Sequence, residues 1–167
     1  MTTARLASSR LPCRIEGPGE SRALEFKTFV FPLVGAATTD LPAPPGAVQR
    51  DASGRPTLLH FAPGRFLAPA PPPDIARHLD ALAGTGVGAV FDVEGKWRAL
   101  AVLGAGAQRL LAESIDVAAV LAHRECAAVR LFDCPVVLAR EPEGFSVWVE
   151  ASYATDLREM LDRIHAH

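Results

Sequence analysis

Gly104-Ala105-Gly106 lies between a strand-like run and a helix-like run, where a dinucleotide-binding turn would offer backbone N–H groups to a pyrophosphate. The third glycine of that pattern is replaced by Arg109, so the turn reads as close packing of a strand on a helix. Gly84, Gly86 and Gly88 follow a helix and precede a strand, the wrong order for phosphate to meet a helix N-terminus. A nucleophile needs an adjacent base, yet His60, His78 and His123 fall on a strand, a helix and a loop with no elbow motif. Asp92, Glu94, Asp116, Glu125, Asp133 and Glu150 stand singly, so no acid–base pair is legible. Asp156 falls in the predicted first turn of the last helix, where the macrodipole favours negative charge. Cys13, Cys126 and Cys134 are odd in number and lack C-x-x-C spacing. They read as reduced thiols, with Cys126 and Cys134 as small buried hydrophobes, neighbours if their strands pair. His165 and His167 alone do not make a structural metal site. No residue is assigned a catalytic or metal-ligating role.

Two aromatic positions carry more information. Along GFSVWVE, Phe145, Val147 and Val149 share one face, which puts Trp148 with Ser146 and Glu150 on the other. A tryptophan on the polar face of a strand implies either a partner or cover by a helix or the N-terminal arm. Trp148, Ser146 and Glu150 are therefore the candidates for a partner interface. Trp97 shares a face with Ala99 and Ala101 and reads as core.

The elements that must position these groups are mostly periodic. Nine of the 14 prolines lie between Pro42 and Pro73 and separate an irregular arm, 1–56, from the remainder, 57–167, within one structural unit overall. In the arm, Ala23 to Phe31 alternates weakly and is predicted as an edge strand, because Pro32 has no N–H for a central ladder. Thr57 to Ala62, Pro63-Gly64 and Arg65 to Ala68 predict a hairpin, and Pro69 to Pro73 a stiff spacer. A helix from Asp74 to Gly84 places Ile75, Leu79 and Leu82 on one face. Gly88 to Val93 and Lys96 to Leu103 read as strands joined in a hairpin at Glu94-Gly95. Ala105 to Glu113 reads as a helix and Asp116 to Leu121 as a helical turn. Cys126 to Phe132, Pro135 to Glu141 and Phe145 to Glu150 form a meander. The last helix starts at Ser152 as N-cap and carries Tyr153, Leu157, Met160, Leu161 and Ile164 at helical spacing. The expected class is α+β, a mostly antiparallel sheet with helices packed on it.

With 167 residues, 49% hydrophobic and 22% charged, the composition supports one domain-sized core. A net charge of -2 provides no field for a phosphate backbone, so nucleic acid is not an expected partner. The longest apolar stretch, Phe29 to Ala37, contains Pro32 and falls well short of the ~20 residues of a membrane helix. A cytoplasmic protein is expected, with Arg5, Arg10 and Arg14 in a frayed leading segment.

Several motifs recur in a familiar order. They are Gly64-Arg65-Phe66-Leu67-Ala68-Pro69, Phe91-Asp92-Val93, Leu103-Gly104 with Ala107, Leu110 and Leu111, and Asp116-Val117. The Cys126 to Pro135-Val136-Val137 meander, Gly144-Phe145 and Ser152-Tyr153-Ala154 follow. This order, over about Leu41 to Ile164, resembles the gamma subunit of heterotetrameric sarcosine oxidase, a family related to the folate-binding domain of the glycine-cleavage aminomethyltransferase. The resemblance implies an aminomethyltransferase-like fold and a non-catalytic subunit of a flavin-dependent, amine-demethylating, tetrahydrofolate-linked complex. It implies flavin-containing partner subunits, with FAD, FMN, NAD and tetrahydrofolate in the complex and none bound by this chain alone. The chain departs from the family at Asp92-Val93-Glu94-Gly95, where an Asp-Val-Ser-Asp-like hairpin is usual, and at Phe66, usually tryptophan. A helix before the proline block is reduced to Gly35 to Asp40, and the Lys-Gly-Cys-Tyr-x-Gly-Gln-Glu signature of the folate-dependent iron–sulfur relatives is missing. Two alternatives stand beside the subunit role. One is a freestanding binder of folate or another small acid in a groove beside Trp97 and Arg98. The other is a diverged homologue that self-associates, as a homo-oligomer, through the face bearing Trp148.

Overall fold

A computed structural model describes residues 12–20, 22–28, 41–42 and 44–167. In chain order these form β1 (Arg14–Glu20), β2 (Ala23–Thr28), β3 (Val48–Arg50), β4 (Pro56–Ala62), β5 (Arg65–Pro69) and α1 (Pro73–Gly84). There follow β6 (Gly88–Asp92), β7 (Trp97–Leu103), α2 (Ala107–Ala112), α3 (Val117–Val120), β8 (Cys126–Leu131), β9 (Cys134–Glu141), β10 (Gly144–Glu150) and α4 (Ala151–Ala166). The strands make two five-stranded sheets, ordered β1-β7-β10-β9-β8 and β3-β4-β5-β2-β6. Every pairing is antiparallel.

Side-chain alternation explains why two sheets are needed. Leu100 and Val102 of β7, Val136 and Leu138 of β9 and Phe145, Val147 and Val149 of β10 face α2, α3 and α4. The alternate positions Trp97, Val137, Ala139 and Trp148 face the other way, onto Ala23, Leu59, Phe61 and Leu67 of the second sheet. The outer face of that sheet, Leu24, Phe26, Leu58 and Phe66, is covered by Ile75, Leu79 and Leu82 of α1. The result is four layers, helix on sheet on sheet on helix. One edge is clasped by Arg50, whose guanidinium donates to the Arg140 carbonyl at 3.0 Å and to Glu125 at 3.1 Å.

Several sequence expectations are corrected. β2 is an interior strand, paired with both β5 and β6. Pro32 does not disturb it because β2 ends at Thr28; Phe29 to Phe31, and the reduced helix at Gly35 to Asp40, lie outside the described residues. Residues before 57 contribute to both sheets, β1 to the first and β2 and β3 to the second. β6 and β7 are not a hairpin. A turn is present, with Lys96 N–H donating to Val93 O at 3.0 Å and Gly95 at φ +77°, but it passes the chain from one sheet to the other. The local turn is the same in both cases, and pairing of β6 with β2 and of β7 with β1 and β10 carries the two strands into different sheets. α4 starts at Ala151 with Glu150 at the cap position, so Ser152 lies inside the helix and Asp156 beyond its first turn. Cys126 and Cys134 sit at opposite ends of the β8–β9 ladder, Cys126 opposite Ala139 and Cys134 opposite Leu131.

Trp148, left between a partner contact and cover by another part of the chain, is covered from within by the second sheet. It is 4% exposed and sits in the layer between the sheets. Its cross-strand neighbours are Ala99 and Val137, small enough to leave room for the indole. Trp148→Ala should therefore cost about 3–5 kcal/mol, a large share of a domain's stability. A lower urea midpoint at unchanged slope is expected; an unaltered midpoint would refute the buried position.

Candidate functional site

Two depressions open onto the inter-sheet layer, one beside Trp97 and one beside Trp148. The Trp97 groove encloses about 320 Å³ and is built by five strands: Phe61 from β4, Arg65 from β5, Trp97 from β7 with Lys96 before it, Arg130 from β8 and Val137 from β9. Glu150 of β10 closes its rim. Arg65 lies over the Phe61 ring at 4.9 Å and Lys96 over Trp97 at 5.2 Å, so the cations rest on aromatic faces.

Glu25 organises this wall. Alternation along ALEFKT turns Leu24 and Phe26 to α1 and Glu25 inward, where it is 2% exposed. Its Oε1 accepts from Lys96 Nζ at 2.8 Å and from Trp97 Nε1 at 2.8 Å, and its Oε2 pairs with Arg65 at 3.6 Å. Burial alone would raise its pKa. The Lys96 and Trp97 hydrogen bonds and the Lys96 and Arg65 charges together outweigh burial and hold the carboxyl below the ordinary glutamate range. The groove thus presents three cations, with one acid on its rim and one clamped behind its wall, and suits a small acid with a flat apolar body.

Of the sequence-predicted residues, Trp97 is buried and lines the groove. Arg98 does not line it. Strand alternation turns Arg98 to the opposite face, where its guanidinium donates to the Gly95 and Trp97 carbonyls, both at 3.3 Å. Trp148, Ser146 and Glu150 do not form one surface: Trp148 and Ser146 are buried toward the second depression, and Glu150 belongs to the groove. Glu25, Arg65, Lys96 and Arg130 were not singled out, and their only sequence signal is a lone acid at an inward position of β2.

The other reactive groups are structurally occupied. His60 is buried, stacks on Phe66 at 4.1 Å and holds its Nδ1 2.9 Å from the Pro42 carbonyl, an arrangement that makes Nδ1–H the donor. Burial lowers its pKa and keeps it neutral. Burial pushes the Cys126 thiol up to about 12, so its thiolate is scarce. Among the described residues no three His, Cys, Asp or Glu side chains converge on a metal site. The Gly104 turn does not fit a dinucleotide. Gly104 has φ +101°, a Cβ there would overlap the Pro12 carbonyl oxygen, and Gly106 N–H donates to that oxygen at 3.0 Å. The backbone groups that would cradle phosphate already face another segment, and α2 is only six residues long.

No protein-family model and no curated protein matches the chain. Among solved structures it is similar to a chain of the heterotetrameric sarcosine oxidase from Corynebacterium sp. U-96 in complex with pyrrole 2-carboxylate, with TM-score 0.74 and 23% identity. The similarity is to a chain of a multi-subunit oxidase. It spans 95% of this chain and 87% of that chain, so the two are of similar length and correspond almost end to end. At this identity the likeness establishes the fold, an α+β arrangement of two antiparallel sheets.

The Glu25 clamp has a pH signature. A carboxyl whose folded pKa is depressed adds stability that is present above its unfolded pKa and is lost as pH falls through the folded one. Glu25→Gln should cost about 1–2 kcal/mol at neutral pH, and its denaturation midpoint should converge on wild type as pH drops below the ordinary glutamate range. Curves that stay parallel would show that the charge of Glu25 is not what holds Lys96 and Arg65.

Proposed function

We propose that this chain is a non-catalytic, gamma-type subunit of a complex like heterotetrameric sarcosine oxidase, in which other chains perform flavin-dependent demethylation of an amine. The observation that carries the proposal is the near end-to-end structural likeness to a chain of that assembly. The state of the chain's own reactive groups supports it. The Glu25 carboxylate is engaged by three neighbours, His60 is neutral and buried, and the Cys126 thiol is protonated. In this reading FAD, FMN, NAD and tetrahydrofolate belong to the larger subunits, and this chain contributes a rigid shaped body to their assembly. A tagged copy expressed beside its natural neighbours should capture larger chains and a yellow flavin absorbance. Recovery of the chain alone and colourless from that background would argue against the subunit role.

The groove favours a second reading, a binder of folate or a similar small acid. Arg65, Lys96 and Arg130 converge on an aromatic-walled slot of about 320 Å³, and a carboxylate is the natural counter-group for them. Titration with tetrahydrofolate should then give a saturable change in tryptophan emission, weakened about tenfold by Arg130→Ala. A linear, non-saturating response in the isolated chain would leave the groove without this role.

A further inference from the structure

The second depression differs from the first in charge and in unmet hydrogen bonding. It encloses about 790 Å³, within the size range of small-molecule sites, and is walled by Pro56, Pro69, Ala99, Ala101 and Trp148. Two polar groups face this apolar space. Ser146 is 7% exposed, and its Oγ meets no partner at full hydrogen-bond geometry, its hydroxyl lying beside the Glu141 carboxyl and holding it down. Glu141, at the end of β9, is half-buried and forms no ion pair among the described residues. Burial pushes its carboxyl above the ordinary glutamate range, and the nearby Ser146 hydroxyl and the Arg50 and Arg55 charges offset only part of that.

Two of the neighbouring cations have other partners. Arg50 pairs with Glu125 at 3.1 Å and donates to the Gly54 and Arg140 carbonyls at 2.9 and 3.0 Å. Arg14 pairs with Glu16 at 2.9 Å and with Glu143 at 3.2 Å. Arg55 makes no ion pair among the described residues, and its charge acts on both Asp51 and Glu141. Arg14 and Arg55 line the cleft against Glu16, Glu141 and Glu143, which leaves an excess of negative charge.

We infer that this cleft binds a small protonated amine, its ammonium donating to Glu141 and Ser146 and its apolar body lying along Trp148 and the proline and alanine walls. An ammonium supplies two or three N–H donors in one group, enough for a carboxylate and a hydroxyl together. A carboxylate ligand would instead meet Glu141, with Arg55 alone among the lining cations not paired to an acid. The site stands whether or not the chain joins a complex.

Benzylamine, with benzyl alcohol as its uncharged counterpart, tests the assignment by calorimetric titration of the full chain. Benzylamine should bind saturably and the alcohol about tenfold more weakly or not at all. Glu141→Gln, which keeps the side-chain shape, should lose about tenfold in benzylamine affinity, while Arg130→Ala in the other groove should lose nothing. Affinity should fall as pH is lowered through the raised Glu141 range, because the protonated carboxyl no longer pairs with the ammonium. Equal binding of the two probes, no saturable benzylamine binding, or a Glu141→Gln variant that binds like wild type would each overturn the inference. Should that variant fail to fold, Ser146→Ala decides: about threefold weaker binding supports the site, and unchanged binding overturns it.

Discussion

Strands with two apolar faces must be covered on both sides, and β7, β9 and β10 set that requirement for the whole molecule. Their outer residues rest on α2, α3 and α4, and their inner residues demand a second apolar sheet. The second sheet meets the demand with Leu59, Phe61 and Leu67 and creates the same problem on its own outer face, which α1 solves. Each layer thus exists because the one beneath it leaves apolar surface in water. The two tryptophans occupy the shared middle layer, and both depressions are the places where that layer opens to solvent.

Buried polar groups have three different fates. Glu25 is fully engaged, by two donors on one oxygen and an arginine on the other, and remains ionised. His60, on the outer face of β4, satisfies one nitrogen against a backbone carbonyl and stays neutral, leaving Nε2 without a partner. Ser146 and Glu141 are left with unmet capacity around an open cavity. A buried polar group without partners costs free energy, so the Glu25 arrangement is stable on its own, whereas His60 Nε2 and Ser146 Oγ carry that cost.

The likeness to a chain of a multi-subunit oxidase and the chemistry of the clefts answer different questions. The first concerns what body the chain forms, and a nearly complete alignment speaks to that. The second concerns which surfaces still have something to offer. A scaffolding subunit and a ligand-binding cleft coexist without conflict, because the layers that make the body rigid also leave two mouths at their margins.

Periodicity over short windows was enough to place most elements. The Ile75, Leu79 and Leu82 stripe, the Pro63-Gly64 hairpin and the β8–β9–β10 meander all follow from local spacing and turn chemistry, and each appears where expected. The resemblance, too, rests on motif order along the chain. Local spacing carries no information on which strand pairs with which across a long separation, so β2 was expected at an edge and β6 with β7 as a hairpin. Nor does alternation tell a face covered by solvent from one covered by another sheet, so Trp148 was left between a partner contact and intramolecular cover. The amino-acid sequence by itself determined the elements, their apolar faces and the absence of any local catalytic motif. The meeting of Glu25 with Lys96 and Trp97 across some seventy residues was decided by tertiary packing alone, because only the stacking of two sheets brings their inner faces together.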